Sequence, residues 1–135
     1  MNLTALADLL HEKYNPSSWG DCNEINATAA YIIQEKLKIK VELVSGYVAL
    51  DNPLVSNIDE PFDGVYDPAH MWILINGEIL DFAAQQFEEH LNDFKGTPFF
   101  KGTHEGYNKM EIHSLENEWV DHKIVDSIKN LNDYV

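Results

Sequence analysis

Apolar positions along this chain follow two periods, and their clearest meeting point is residues 69–82, AHMWILINGEILDF. Two apolar runs, 71–75 and 79–82, flank Asn76-Gly77, the strongest short-range signal for a two-residue β-hairpin turn. Such a turn pairs Ile75 with Glu78, Leu74 with Ile79, Trp72 with Asp81 and His70 with Ala83. Alternation then puts His70, Trp72, Ile79 and Asp81 on one face of the hairpin. His70 and Asp81 become diagonal neighbours, about 7–8 Å apart at the backbone and closer at the side chains.

The helical period governs the start of the chain. Leu3, Leu6, Leu9, Leu10 and Tyr14 predict an amphipathic helix over residues 3–14, stopped by Asn15-Pro16. After the turn Ser17-Ser18-Trp19-Gly20, Asp21 is placed to cap a second helix, with Glu24 three residues on in a capping-box arrangement. That helix is expected to reach about residue 37, with Cys22, Ile25, Ala29 and Ile32/Ile33 on its buried face and Ala27, Ala29 and Ala30 keeping it slim. Residues 39–43 alternate strictly and continue through 44–50, with Gly46 as a bulge. Residues 51–67 hold prolines and acids without a period and read as a long surface loop. After the hairpin, residues 85–94 read as a short helix or a loop, and 96–107 (GTPFFKGTHEGY) as irregular chain. Residues 110–113 read as a short edge strand. A closing helix over 115–135 is expected, with Val120, Ile124, Ile128, Leu131 and Val135 on one face. The order of elements predicts a single α+β domain over residues 1–135, an antiparallel sheet covered mainly on one face.

Composition narrows the function classes. The chain has 135 residues, enough for a proper core, with 44% hydrophobic residues. Nine basic against 23 acidic residues give a net charge of −14, which disfavours nucleic acid and anionic membrane as partners. One cysteine makes no internal disulfide. The start MNLTALADLLHEKY has no signal-peptide pattern. No apolar run approaches the length of a membrane span. A cytoplasmic protein is therefore expected, and no oligomer signature is readable.

A histidine positioned by an aspartate asks for a nucleophile, and the chain offers one thiol, Cys22. A thiol attacks as thiolate, and a helix N-terminus or an adjacent imidazolium favours that form. Cys22 stands at the first helical position if Asp21 is the cap. His70 supplies the imidazole, and Asp81 fixes its tautomer. The first backbone N–H groups of the helix, including that of Cys22, are placed to hold a developing oxyanion.

Gly20-Asp21-Cys22 opening an Ala-rich helix, His70-x-Trp72 on a strand, the hairpin glycine Gly77 and Asp81 on the return strand resemble the transglutaminase-like branch of the papain-like cysteine protease superfamily. The resemblance covers residues 19–37 and 70–81. It implies a papain-like fold with the nucleophile helix packed on an antiparallel sheet. It further implies Cys22 as nucleophile, His70 as general base and then acid, and Asp81 as the orienting group. Asn23 follows Cys22 where the family carries an aromatic residue, and no glutamine precedes the cysteine. Trp19, through its indole N–H, and Asn15 are then the candidates for a second oxyanion donor.

The expected activity is that of a small cysteine acyl-transfer enzyme: a thioester forms on Cys22 from an amide or ester, and the acyl group passes to water or an amine. Its substrate would be an amide-bearing protein or peptide, with no cofactor. The alternative is a catalytically inert transglutaminase-like module that binds a protein partner. Simpler roles stand beside these: Cys22 as a core residue, Trp72 as core rather than cleft wall, and Asp81 as a cap for segment 82–87. On the triad reading, Asp81→Asn is expected to change stability little. His104/His113 and His11/His122 lack metal-like spacing, the acids of 51–67 show no calcium-loop pattern, and no metal is expected. A metal held by Cys22, His70 and Asp81 together is a further possibility. Loops 51–67 and 96–107 are expected to border the cleft.

Overall fold

The computed structural model describes residues 1–18, 20–49, 69–88, 94 and 96–135. The loop expected at 51–67 and the indole of Trp19 lie outside these residues.

Helix α1 spans Leu3–His11, and Asn2 caps it by accepting the Ala5 N–H. Its apolar stripe buries Leu6, Ala7 and Leu10. The helix ends one turn earlier than the periodicity predicts, yet Tyr14 still packs against the core. Helix α2 spans Cys22–Tyr31 and packs chiefly against the sheet. Seven of its ten residues are buried, and its alanines let the backbone approach the strands closely. The expected capping box does not form. The Asp21 side chain makes no cap hydrogen bond and accepts the Asn15 N–H instead. A wider π-helical turn, Ile32–Lys36, follows, and Lys38 at φ 60° ends the helical stretch.

Five antiparallel strands follow: β1 Glu42–Val48, β2 Ala69–Ile75, β3 Glu78–Asp81, β4 Phe100–Gly102 and β5 Tyr107–His113, in the spatial order β4-β3-β2-β1-β5. Strand β1 starts later than the alternation suggests, since the Gln34 side chain takes the Val41 N–H and keeps it out of a ladder. The hairpin register is the expected one, with Ile75 opposite Glu78 and Leu74 opposite Ile79. Asn76 at φ 51° and Gly77 at φ 78° supply the two positive angles of a type I′ turn. The bulge expected at Gly46 is present as a register shift against β5 between Ser45 and Gly46. A Cβ at Gly46 would lie 1.9 Å from the Asn108 carbonyl oxygen, so only glycine fits there.

Two differences lie towards the C-terminus. The segment expected to be irregular holds β4. The expected helix over 115–135 is limited to α3, His122–Ser127, and a 3₁₀ turn at Leu131–Tyr134. Asp121 caps α3 through the Lys123 and Ile124 N–H groups, and Ile128 is already extended. Asn130 then caps the last turn, so Leu131 and Val135 are exposed instead of extending the buried face.

Both faces of the sheet are packed. On one, Leu43, Ile73 and Leu80 meet α1, α2 and α3 through Leu6, Leu10, Ile25 and Ile124. On the other, Trp72, Val44 and Ile79 meet Leu74, Phe100 and Tyr107. Beside that cluster, Phe87 of the 3₁₀ turn Ala84–Phe87 packs with Val48, Ala84 and Phe94. The fold is thus α+β with a five-stranded antiparallel sheet. Among the described residues no helix is long and apolar enough to cross a membrane.

Candidate active site

His70 stands near the start of β2, opposite Gly46 of β1, and Asp81 ends β3. The tight hairpin between them brings His70 Nε2 to 2.6 Å from Asp81 Oδ2, and both side chains are sealed from solvent. Gly46 has no side chain to crowd the ring from β1. On its other sides, His70 stacks on Trp72 at a centroid distance of 6.1 Å and meets the edge of Phe87 at 4.8 Å.

Four donors satisfy the Asp81 carboxylate. Oδ2 accepts from His70 and from the Tyr107 hydroxyl, the latter at 2.6 Å. Oδ1 accepts from Asn26 Nδ2 at 2.9 Å and from the Ala83 N–H at 2.8 Å. The same carboxylate therefore accepts the Ala83 N–H at the start of the turn after β3 and the bond from His70. Asn26 also donates to the Met71 carbonyl and accepts the Phe82 N–H, which ties α2 to both strands of the hairpin.

Electrostatics follow from this packing. Burial alone would lower the His70 pKa, but the charge and hydrogen bond of Asp81, then the hydrogen bond and charge of Cys22, raise it to about 9. Burial alone would raise the Asp81 pKa. His70, Tyr107 and Asn26 outweigh it and hold the carboxyl below its usual range. Tyr107 is pushed well above its usual value by burial and by the Asp81 charge, so it stays a neutral donor.

Cys22 is the first residue of α2 and is 6% exposed. It and His70 face a cleft of about 620 Å³, whose walls include Gly20, Ser45, Tyr47, Met110, Glu111, His113 and Trp119. The cleft thus runs from the start of α2 across β1 to β5. Asp21, turned back to Asn15, leaves the start of α2 without a side-chain cap. Glu24 lies in a different groove, with Lys13, Tyr14 and Asp121. Inside the cleft, Ser45 Oγ and His113 Nε2 share a hydrogen bond of 2.7 Å, and the His113 ring meets Trp119 edge-on.

The structure brings Cys22, His70 and Asp81 together and keeps Trp72 and Asn15 out of the cleft lining, while the Trp19 indole lies outside the described residues. Trp72 is fully buried behind His70 and is no wall of the cleft. The Asn15 side chain accepts the Ser17 N–H and does not line the cleft, because Pro16 and Ser17 close a local turn on it. Segment 96–107 contributes Tyr107 behind the histidine and nothing to the cleft lining. Phe100 and Tyr107 are drawn instead into the core on that face of the sheet, and Phe99 packs against the helix-side core. Among the described residues no three His, Cys, Asp or Glu side chains are grouped to hold a metal ion.

Three partners of the site escaped the sequence reading: Asn26, Gln86 and Tyr107. Asn26 had a signal, a polar residue one turn after Cys22 among the apolar positions of α2. Gln86 and Tyr107 had none, since tertiary packing alone carries them to His70 and Asp81. Family models, curated proteins and solved structures give no match to this chain.

Proposed function

We propose that this protein is a small cysteine acyl-transfer enzyme, built on the papain-like, transglutaminase-like plan its motifs resemble. The observation that carries the reading is the convergence of Cys22, His70 and Asp81 from α2, β2 and β3. His70 Nε2 is fixed on Asp81 at 2.6 Å, and Cys22 and His70 both belong to the lining of one cleft, with the ring itself sealed behind it.

In this reading the Cys22 sulfur attacks the carbonyl carbon of an amide or ester while its proton passes to His70. The charge that develops on the carbonyl oxygen is received by backbone N–H groups at the start of α2. The carbon–nitrogen or carbon–oxygen bond then breaks, and His70 returns the proton to the leaving group, which leaves a thioester on Cys22. Water or an amine attacks the thioester, giving up a proton through His70, and the thiol is restored. Asp81 holds the ring orientation throughout and stabilises its cationic form. Hydrolysis is favoured over cross-linking, because the cleft beside Cys22 is open to water. The substrate is an amide-bearing protein or peptide.

The test is alkylation by iodoacetamide at neutral pH. Cys22 is expected to react faster than free cysteine, and His70→Ala is expected to remove the advantage while circular dichroism confirms the fold. Equal rates in wild type and variant would leave an inert binding module as the reading.

A further inference from the structure

Both nitrogens of His70 already have partners. Nε2 faces Asp81, and Nδ1 lies 2.7 Å from the side-chain nitrogen of Gln86. Gln86 sits in the turn Ala84–Phe87 and is buried, and its Oε1 is sealed from solvent with no hydrogen-bond partner among the described residues. Each imidazole nitrogen offers one in-plane direction for a hydrogen bond. With Nε2 held by Asp81, any proton exchange with Cys22 passes through Nδ1, the nitrogen that Gln86 occupies.

A glutamine amide has two orientations that exchange its nitrogen and oxygen. With the NH₂ group on Nδ1, the amide donates, the ring is neutral with its proton on Nε2, and Oε1 has no partner. With Oε1 on Nδ1, the amide accepts, and the ring is the imidazolium that forms when it takes the thiol proton. The second orientation gives the buried oxygen the donor it lacks in the first. We propose that Gln86 is a positioning residue that competes with Cys22 for Nδ1 of His70, its amide rotating each time the proton moves between thiol and ring.

This role rests on the thiol chemistry proposed above. In either orientation Gln86 takes a share of a nitrogen that would otherwise serve Cys22 alone. It therefore holds the ring in place and restrains the thiolate–imidazolium pair. The raised pKa of His70 agrees with a ring whose second proton needs an acceptor at Nδ1.

Gln86→Met and Gln86→Leu nearly keep the volume and remove the amide. Alkylation of Cys22 at pH 6.5 is expected to rise about tenfold in both, the factor that one lost competing hydrogen bond corresponds to. Rates that stay unchanged or fall in both variants overturn the proposal. A second measurement needs no variant: in ¹⁵N-labelled wild type, the Gln86 side-chain amide resonances are expected to move with the His70 ring through its titration, at a common midpoint. Amide resonances that stay flat through that midpoint overturn it independently. His70→Ala, alkylated alongside, separates the two levels. If wild type is no faster than His70→Ala, the thiol chemistry fails and the role of Gln86 fails with it. If wild type is faster while the Gln86 variants do not move, only the role of Gln86 fails.

Discussion

Tyr107 donates its hydroxyl to Asp81 Oδ2 at 2.6 Å, the same oxygen that receives His70 Nε2. The first residue of the edge strand β5 thereby reaches the centre of the site. Tyr107→Phe keeps the ring contacts and deletes one donor. It is expected to cost about 1–2 kcal/mol of stability in denaturant unfolding, the usual range for a buried hydrogen bond to a charged group. With one donor fewer, the carboxylate holds the His70 proton more tightly. The His70 pKa, followed by NMR, is expected to rise further.

Asp81→Asn tests the triad, and the structure changes what the substitution should do. The hairpin alone suggests an amide is tolerated. All four acceptor sites of the carboxylate are occupied by donors, however, so an amide NH₂ must face some of them. A loss of about 1–3 kcal/mol is expected, the range for buried groups left unpaired. Without the carboxylate charge, burial dominates at His70 and its pKa falls. Alkylation of Cys22 should slow at neutral pH. An unchanged rate in a folded variant would confine Asp81 to a structural role.

The ion pair also sets a pH window. His70 is raised from 6.5 to about 9, so its contribution is complete below the unfolded value and lost as pH rises towards 9. Asp81 is lowered from 3.8, so its contribution is complete above that value and lost as pH falls through the folded pKa. The stability difference between wild type and His70→Gln is expected to be widest between these unfolded values. It should narrow on the alkaline side and again in strong acid. Melting temperatures of both proteins across pH check this.

Gly46→Ala addresses the bulge that shapes the cleft. The added carbon would meet the Asn108 carbonyl oxygen at 1.9 Å, so β1 and β5 must separate locally. Overpacking of this kind costs about 1–3 kcal/mol. Faster hydrogen exchange is expected along β5, and α1 should keep its protection.

The hairpin and its His–Asp pair were legible because they are local. A two-residue turn and an alternation of period two fix every partner between His70 and Asp81, with no assumption about the rest of the chain. The buried face of α2 was legible for a similar reason, its helical period being uninterrupted from Cys22 to Tyr31. The C-terminal helix was overdrawn because apolar spacing carries no information on where Asn130 caps a new turn. The capping box at Asp21 failed because the backbone N–H of Asn15, six residues earlier, takes the carboxylate. Asn26, Gln86 and Tyr107 could not be assigned, because their partners are chosen by how helix, turn and edge strand close around the hairpin.

The order of strands has one more consequence. His70 and Asp81 stand on β2 and β3, which have a neighbour on each side, while Met110, Glu111 and His113 belong to β5, bonded to the sheet only through β1. Met110 is 70% exposed, so this part of the cleft wall has little packing to lose, whereas His113 is held by Ser45 and Trp119. Substitutions of Met110 or Glu111 would change the cleft lining without touching the residues proposed to carry the reaction. Tyr107 marks where that freedom stops. Its hydroxyl is bonded to Asp81, so a change at this end of β5 reaches the carboxylate directly.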